Sequence, residues 1–133
     1  MPEYFVKLDK DFITIDCWLE GPLGEMPVSM LLDTASSLTC LPLNILSKIG
    51  VDLSRPVETG KIITVTGPVD VGIYRVPILR LFDFTLGEVP VAGLEASPDQ
   101  SANTRLLGLN VLRMFNIGLN FENNFIKLEL RKR

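Results

Sequence analysis

The chain has 133 residues, 47% of them hydrophobic and 22% charged, with a formal net charge of −3 and no histidine. That length suits one domain able to bury its own core, the apolar content excludes a disordered chain, and the acidic balance argues against nucleic-acid binding by phosphate neutralisation. Without histidine there is no Ser–His or Cys–His nucleophilic machinery and no histidine-based zinc site. Chemistry is left to carboxylates, hydroxyls, lysines and the backbone, and neither a metal nor an organic cofactor is implied.

No apolar run approaches the roughly 18 residues needed to cross a membrane, and Met1-Pro2-Glu3-Tyr4-Phe5 lacks the basic and apolar regions of a secretory signal. The expectation is a soluble, cytoplasmic protein with no membrane partner. Cys17 and Cys40 are too few for a disulfide framework and read as two buried thiols rather than a single bridge.

Period-two patterning dominates from the start. Ile13, Ile15, Cys17 and Leu19 share one face of a strand over 12–19, with Thr14, Asp16 and Trp18 on the other. Gly21–Glu25 reads as a hairpin turn, and Pro27–Leu32 as the returning strand. A helix over Leu43–Ile49 follows Pro42, placed at the first helical position, and ends before Gly50 as C′ residue. Further strands are predicted over 61–66, 69–81, 84–91, 117–121 and 125–130, with a surface loop over 95–104 and a short helix over 108–115. Asn123-Asn124 supplies the positive φ of a tight hairpin between the last two strands. The basic tail Arg131-Lys132-Arg133 reads as a solvated end. The sum is one mostly-β domain over residues 1–133.

Among the acidic residues, Asp33 ends the apolar strand Val28–Leu32 and opens a run of small hydroxylic residues, Thr34-Ala35-Ser36-Ser37. A carboxylate there must be hydrogen-bonded, paired or shifted in pKa. Taken alone, the position also fits a turn aspartate satisfied by the backbone N–H groups that follow.

The stretch Leu31-Leu32-Asp33-Thr34-Ala35-Ser36-Ser37-Leu38-Thr39 resembles the active-site loop of aspartic proteases. Downstream, Leu106-Leu107-Gly108-Leu109-Asn110-Val111-Leu112, followed by Ile117-Gly118-Leu119-Asn120-Phe121, is similar to the apolar–apolar–Gly segment and helix of retroviral-type members. The resemblance spans nearly the whole chain, and the 75 residues from Asp33 to Gly108 suit a single retropepsin-like lobe.

The resemblance implies an all-β acid-protease barrel with one or two short helices, and an aspartic endopeptidase acting on extended peptide or protein substrates. Asp33 would be the catalytic residue, with Thr34, Ala35 and Ser36 completing its loop. Leu107, Gly108 and Asn110 would support that loop from below, and Val65, Thr66, Gly67, Pro68 and Val69 would form a β-hairpin flap, Gly67-Pro68 supplying its turn. Only one Asp-Thr-small signature is present: Asp70-Val71-Gly72 and Asp83-Phe84-Thr85 have the wrong order. The family's dyad would therefore need a homodimer, each subunit giving one Asp33, with Thr34 reaching across the two-fold axis.

Two departures stand out. The glycine expected after Asp-Thr is Ala35, which keeps the N–H but adds a methyl beside the carboxylate, strained if that position requires positive φ. Leu109 stands where viral members often carry an arginine tied to the dimer interface, so the terminal strands over 5–8 and 125–130 would hold the dimer or pair within one chain. Ala35 makes a catalytically silent dimerisation or peptide-binding module the alternative reading. An unrelated β-barrel binding domain with a chance motif is a third.

Overall fold

Strand alternation builds the first hairpin. In the computed structural model, which describes residues 3–8, 12–64, 67–95 and 105–131, β1 (Glu3–Lys7) is followed by β2 (Thr14–Gly21) and β3 (Gly24–Leu32). Ile15, Cys17 and Leu19 of β2 and Val28 and Met30 of β3 are buried, and the register runs from Thr14↔Leu31 to Gly21↔Gly24. Next come β4 (Thr39–Pro42) and α1 (Leu43–Lys48).

Pro42 is the extended N-cap of α1, with φ −62° and ψ 142°, not its first helical residue. At the other end, the N–H of Gly50 donates to Ser47 O and that of Val51 to Leu46 O. Gly50 adopts φ +95°, the left-handed C′ conformation that glycine takes most cheaply.

β5 (Glu58–Thr64), β6 (Gly67–Leu81) and β7 (Phe84–Leu94) form a long meander. β8 (Leu106–Leu107), α2 (Leu109–Leu112), β9 (Phe115–Asn120) and β10 (Phe125–Leu130) complete the chain. Asn124 has φ +59° in the β9–β10 turn. The expected loop lies outside the described residues from 96 to 104, as do Lys132 and Arg133 of the tail.

A seven-stranded sheet has the order β2-β3-β8-β4-β7-β6-β5, and an additional β2–β6 pairing curls it back on itself. Closure is partial, since β8 contributes only Leu106 and Leu107, so the expected barrel is not a clean one. A separate three-stranded sheet, β1-β10-β9, joins the two ends of the chain within one molecule. Tyr4 docks it by stacking on Phe82, with ring centroids 4.4 Å apart.

Most buried side chains form one core, and a smaller cluster sits apart: Cys40, Val71 and Ala92, with Leu38, Ile62, Leu94 and Leu106 packed against them. β4 and β8 lie outside the elements expected from the sequence. β4 is parallel to β7 and buried at every residue, so it carries no alternation to read. Cys17 and Cys40 are both buried free thiols.

Candidate active site

The end of β3 delivers Asp33. Leu31 and Leu32 pair in parallel with Leu106 and Leu107, and the N–H of Asp33 donates to Leu107 O at 3.0 Å. The chain then turns sharply: Ser36 N–H donates to Asp33 O at 3.2 Å, and Ala35 N–H to the Asp33 carboxylate Oδ1 at 3.0 Å. This last contact is the turn-aspartate hydrogen bond foreseen from the sequence.

The loop rests on α2. The first N–H groups of a helix lack partners within it, and here the loop carbonyls take them: Leu109 N–H donates to Ser36 O at 2.8 Å and Asn110 N–H to Ser37 O at 3.2 Å. Gly108 permits this approach through space rather than φ, because a Cβ at that position would lie 2.5 Å from Leu38 C and 2.8 Å from Thr39 N.

Beneath the loop, the expected supports Gly108 and Asn110 meet a residue the sequence did not single out, Thr39. Thr39 is fully buried. Its N–H and its hydroxyl both donate to Asn110 Oδ1 at 2.8 Å, and the hydroxyl accepts from Gly108 N–H at 3.1 Å. Asn110 Nδ2 donates to Pro90 O at 2.9 Å, so one side chain ties α2 to β4 and β7. The available signal was a lone hydroxyl inside the apolar run Leu38–Leu41, which must find a partner when buried.

Asp33, Ala35 and Ser36 line a cavity of about 420 Å³ with Ser37, Cys40, Leu94 and Leu106, and with Lys61, Ile62 and Ile63 of β5. The segment expected as a flap is the β5–β6 hairpin, and it meets the cavity through Lys61, Ile62 and Ile63. Gly67 and Pro68 open β6, paired with Thr64 and Ile63, and neither they nor Val69 are among the cavity walls. Val65 and Thr66, also expected in the flap, lie outside the described residues. Thr34 is not among the residues lining that cavity and lines a separate shallow depression with Leu109, Arg113 and Asn116. A larger groove of about 810 Å³ beside Trp18 and Arg80 lies away from Asp33, and its one cation is already paired with Glu20 and Glu25.

Ala35 is not strained: the non-glycine residues at positive φ, among those described, are Phe82, Glu88 and Asn124. Its methyl therefore acts only by filling space. Burial pushes the Cys40 thiol up, a hydrogen bond from Ser36 partly offsets this, and the Asp33 charge adds to the rise. That environment disfavours the thiolate, the form in which a cysteine attacks. Among the described residues no cluster of metal-ligating side chains occurs, and no helix is long and apolar enough to cross a membrane.

An all-β lobe with an aspartate loop locked onto a Gly-containing helix start, under a hairpin, has the retropepsin-like architecture. A structural comparison agrees: a retropepsin-like aspartic protease from Rickettsia conorii superposes with a TM-score of 0.72 at 17% identity, covering 96% of this chain and 89% of that one. At that identity the likeness establishes the fold. The family model for aspartyl protease matches residues 16–111, and the chain belongs to that family. No curated protein matches the sequence.

Proposed function

We propose that the protein is an aspartic endopeptidase that works as a homodimer, hydrolysing extended peptides with a water held between the Asp33 carboxylates of two subunits. The observation that carries this reading is the Asp33 carboxylate, fixed by the Ala35 N–H and lining a cavity that β5 also lines. Two carboxylates at such an axis share one proton, because close like charges do not both ionise cheaply. The ionised one takes a proton from the water as its oxygen attacks the scissile carbonyl, and the protonated one donates to the carbonyl oxygen. The substrate lies extended between floor and flap, held mainly through its backbone.

The alternative is a silent dimeric module, and the Ala35 methyl on the cavity wall is what favours it. The test pairs cleavage of a peptide library with sedimentation of wild type and Asp33→Asn. The expected result is a dimer in both proteins and cleavage only in wild type, since the amide is nearly isosteric but does not exchange the catalytic proton. A strict monomer at high concentration, or undiminished cleavage by Asp33→Asn, refutes the reading.

A further inference from the structure

We infer that the outer face of the β2–β3 hairpin binds an extended basic segment of a protein partner, in which two lysine or arginine residues straddle an apolar one. The inference concerns the larger groove, which Asp33 does not line, and does not depend on the chemistry at Asp33.

Strand alternation sets the face. Ile15, Cys17 and Leu19 of β2 are buried in the core, so Asp16, Trp18 and Glu20 stand on the opposite side. With Val28 and Met30 buried, β3 turns Glu25 and Pro27 to that side, and β6 turns Arg80 there between buried Leu79 and Leu81. The register puts Trp18 between Pro27 on one neighbouring strand and Arg80 on the other. Apart from Glu20, these outward residues line the groove of about 810 Å³, and Phe82 borders it. Trp18 is the chain's one tryptophan, and it is only half-buried. A large, rigid ring with uncovered surface is the kind of group on which protein contacts concentrate their energy.

The charges on this face name the occupant. Glu20 and Glu25 stand opposite each other across the hairpin, a repulsive arrangement. Arg80 relieves it, with its guanidinium 3.1 Å from Glu20 and 3.9 Å from Glu25. Two carboxylates against one cation still leave that end negative. At the other end Asp16 is exposed, faces Ser29, and has no ion-pair partner among the described residues. Two anionic ends therefore flank an aromatic centre, separated by four residues of strand, ~13 Å. An extended peptide covers the same distance between positions i and i+4, whose side chains point the same way. Basic residues at those positions reach the two ends, and the residue at i+2 falls on Trp18 and Pro27. Lysine and arginine suit the groove doubly. Their stems cover apolar surface while their heads stay at the carboxylates, and a cation near the indole face gains further attraction. An acidic segment is repelled at both ends.

With a single tryptophan in the chain, fluorescence reads occupancy of the groove directly. The probes are end-blocked Lys-Ser-Leu-Ser-Lys and its counterparts with Gln or Glu at both ends. The Lys peptide should change Trp18 emission saturably and bind about fivefold or more tighter than the Gln peptide, the scale of two exposed ion pairs. The Glu peptide should be weaker still, and added salt should narrow the differences. Asp16→Asn and Glu25→Gln should each cut the Lys-over-Gln preference by roughly twofold or more, while Asp33→Asn leaves it unchanged. Equal affinities for the three peptides, no saturable change, or a preference that survives both groove variants overturns the inference. Loss of binding in Asp33→Asn also overturns it, since the peptide would then occupy the Asp33 cavity. A change in Trp18 emission that grows with protein concentration alone, and is abolished when Arg131, Lys132 and Arg133 are replaced by glutamine, would give the groove to the tail of a second copy and overturn the assignment to a separate partner.

Discussion

Asn110 and Thr39 are joined twice: a single amide oxygen accepts both the backbone N–H and the hydroxyl of Thr39, each at 2.8 Å. The pair lies 71 residues apart in sequence and fixes the helix start that carries the Asp33 loop. Asn110→Ala leaves the buried hydroxyl and N–H of Thr39 without their acceptor and frees Pro90 O. It should destabilise the protein by about 2–4 kcal/mol and reduce peptide cleavage through misplacement of Asp33. Thr39→Ser, which keeps the hydroxyl, should lose far less than Thr39→Val. Denaturant melts of the three variants give the comparison; equal losses for Ser and Val would assign the effect to packing rather than hydrogen bonding.

Gly108→Ala should be harmful although Gly108 has an ordinary negative φ of −95°. The added Cβ meets backbone atoms of Leu38 and Thr39, not the flexible end of a side chain, so the loop or α2 must move. A cost of about 1–3 kcal/mol is expected, together with lost cleavage. An unchanged thermal midpoint would mean the loop yields freely.

Ala35→Gly separates the two functional readings. The residue needs no positive φ, so the substitution relieves no backbone strain, and its effect should come from space beside Asp33. Cleavage should rise several-fold, while stability falls by about 0.4–1 kcal/mol from the added freedom of the unfolded chain. Activity that appears only in the glycine variant would make the natural protein a silenced module. If neither protein cleaves a broad library while the dimer is intact, the peptidase reading is lost and the fold remains.

Alkaline pH should loosen the protein through Cys17. Burial first, then the charge of Asp16, pushes this thiol up from 9.0 to about 12. Between those values the folded state holds a proton that the unfolded state has released, so stability is full below the lower pH and declines toward the upper one. The contribution at stake is of order 4 kcal/mol at most. Cys17→Val removes the group, and its unfolding free energy should fall less steeply than that of wild type between about pH 9 and 11. Parallel slopes for the two proteins would contradict the assignment.

Local patterning was enough to read most of the strands, the β2–β3 hairpin, α1 with its Gly50 stop, the positive φ of Asn124 and the burial of both thiols. Each depends on residues a few positions apart, where period, turn chemistry and side-chain type act directly. The motif around Asp33 and the segment at Gly108 likewise stood out as linear patterns. β4, β8, the buried Thr39–Asn110 joint, the absence of Thr34 from the cavity lining and the place of Lys61 and Ile62 in it were decided only by tertiary structure. Strands buried on both faces show no alternation, and a two-residue strand has no period at all. A hydrogen bond between residues 71 positions apart exists only because the parallel pairing of Leu31 with Leu106 brings the two segments together. The cavity lining follows from the same closure: the β2–β6 pairing that curls the large sheet brings β5 to the cavity that Asp33 lines, a juxtaposition that no local pattern along the chain encodes.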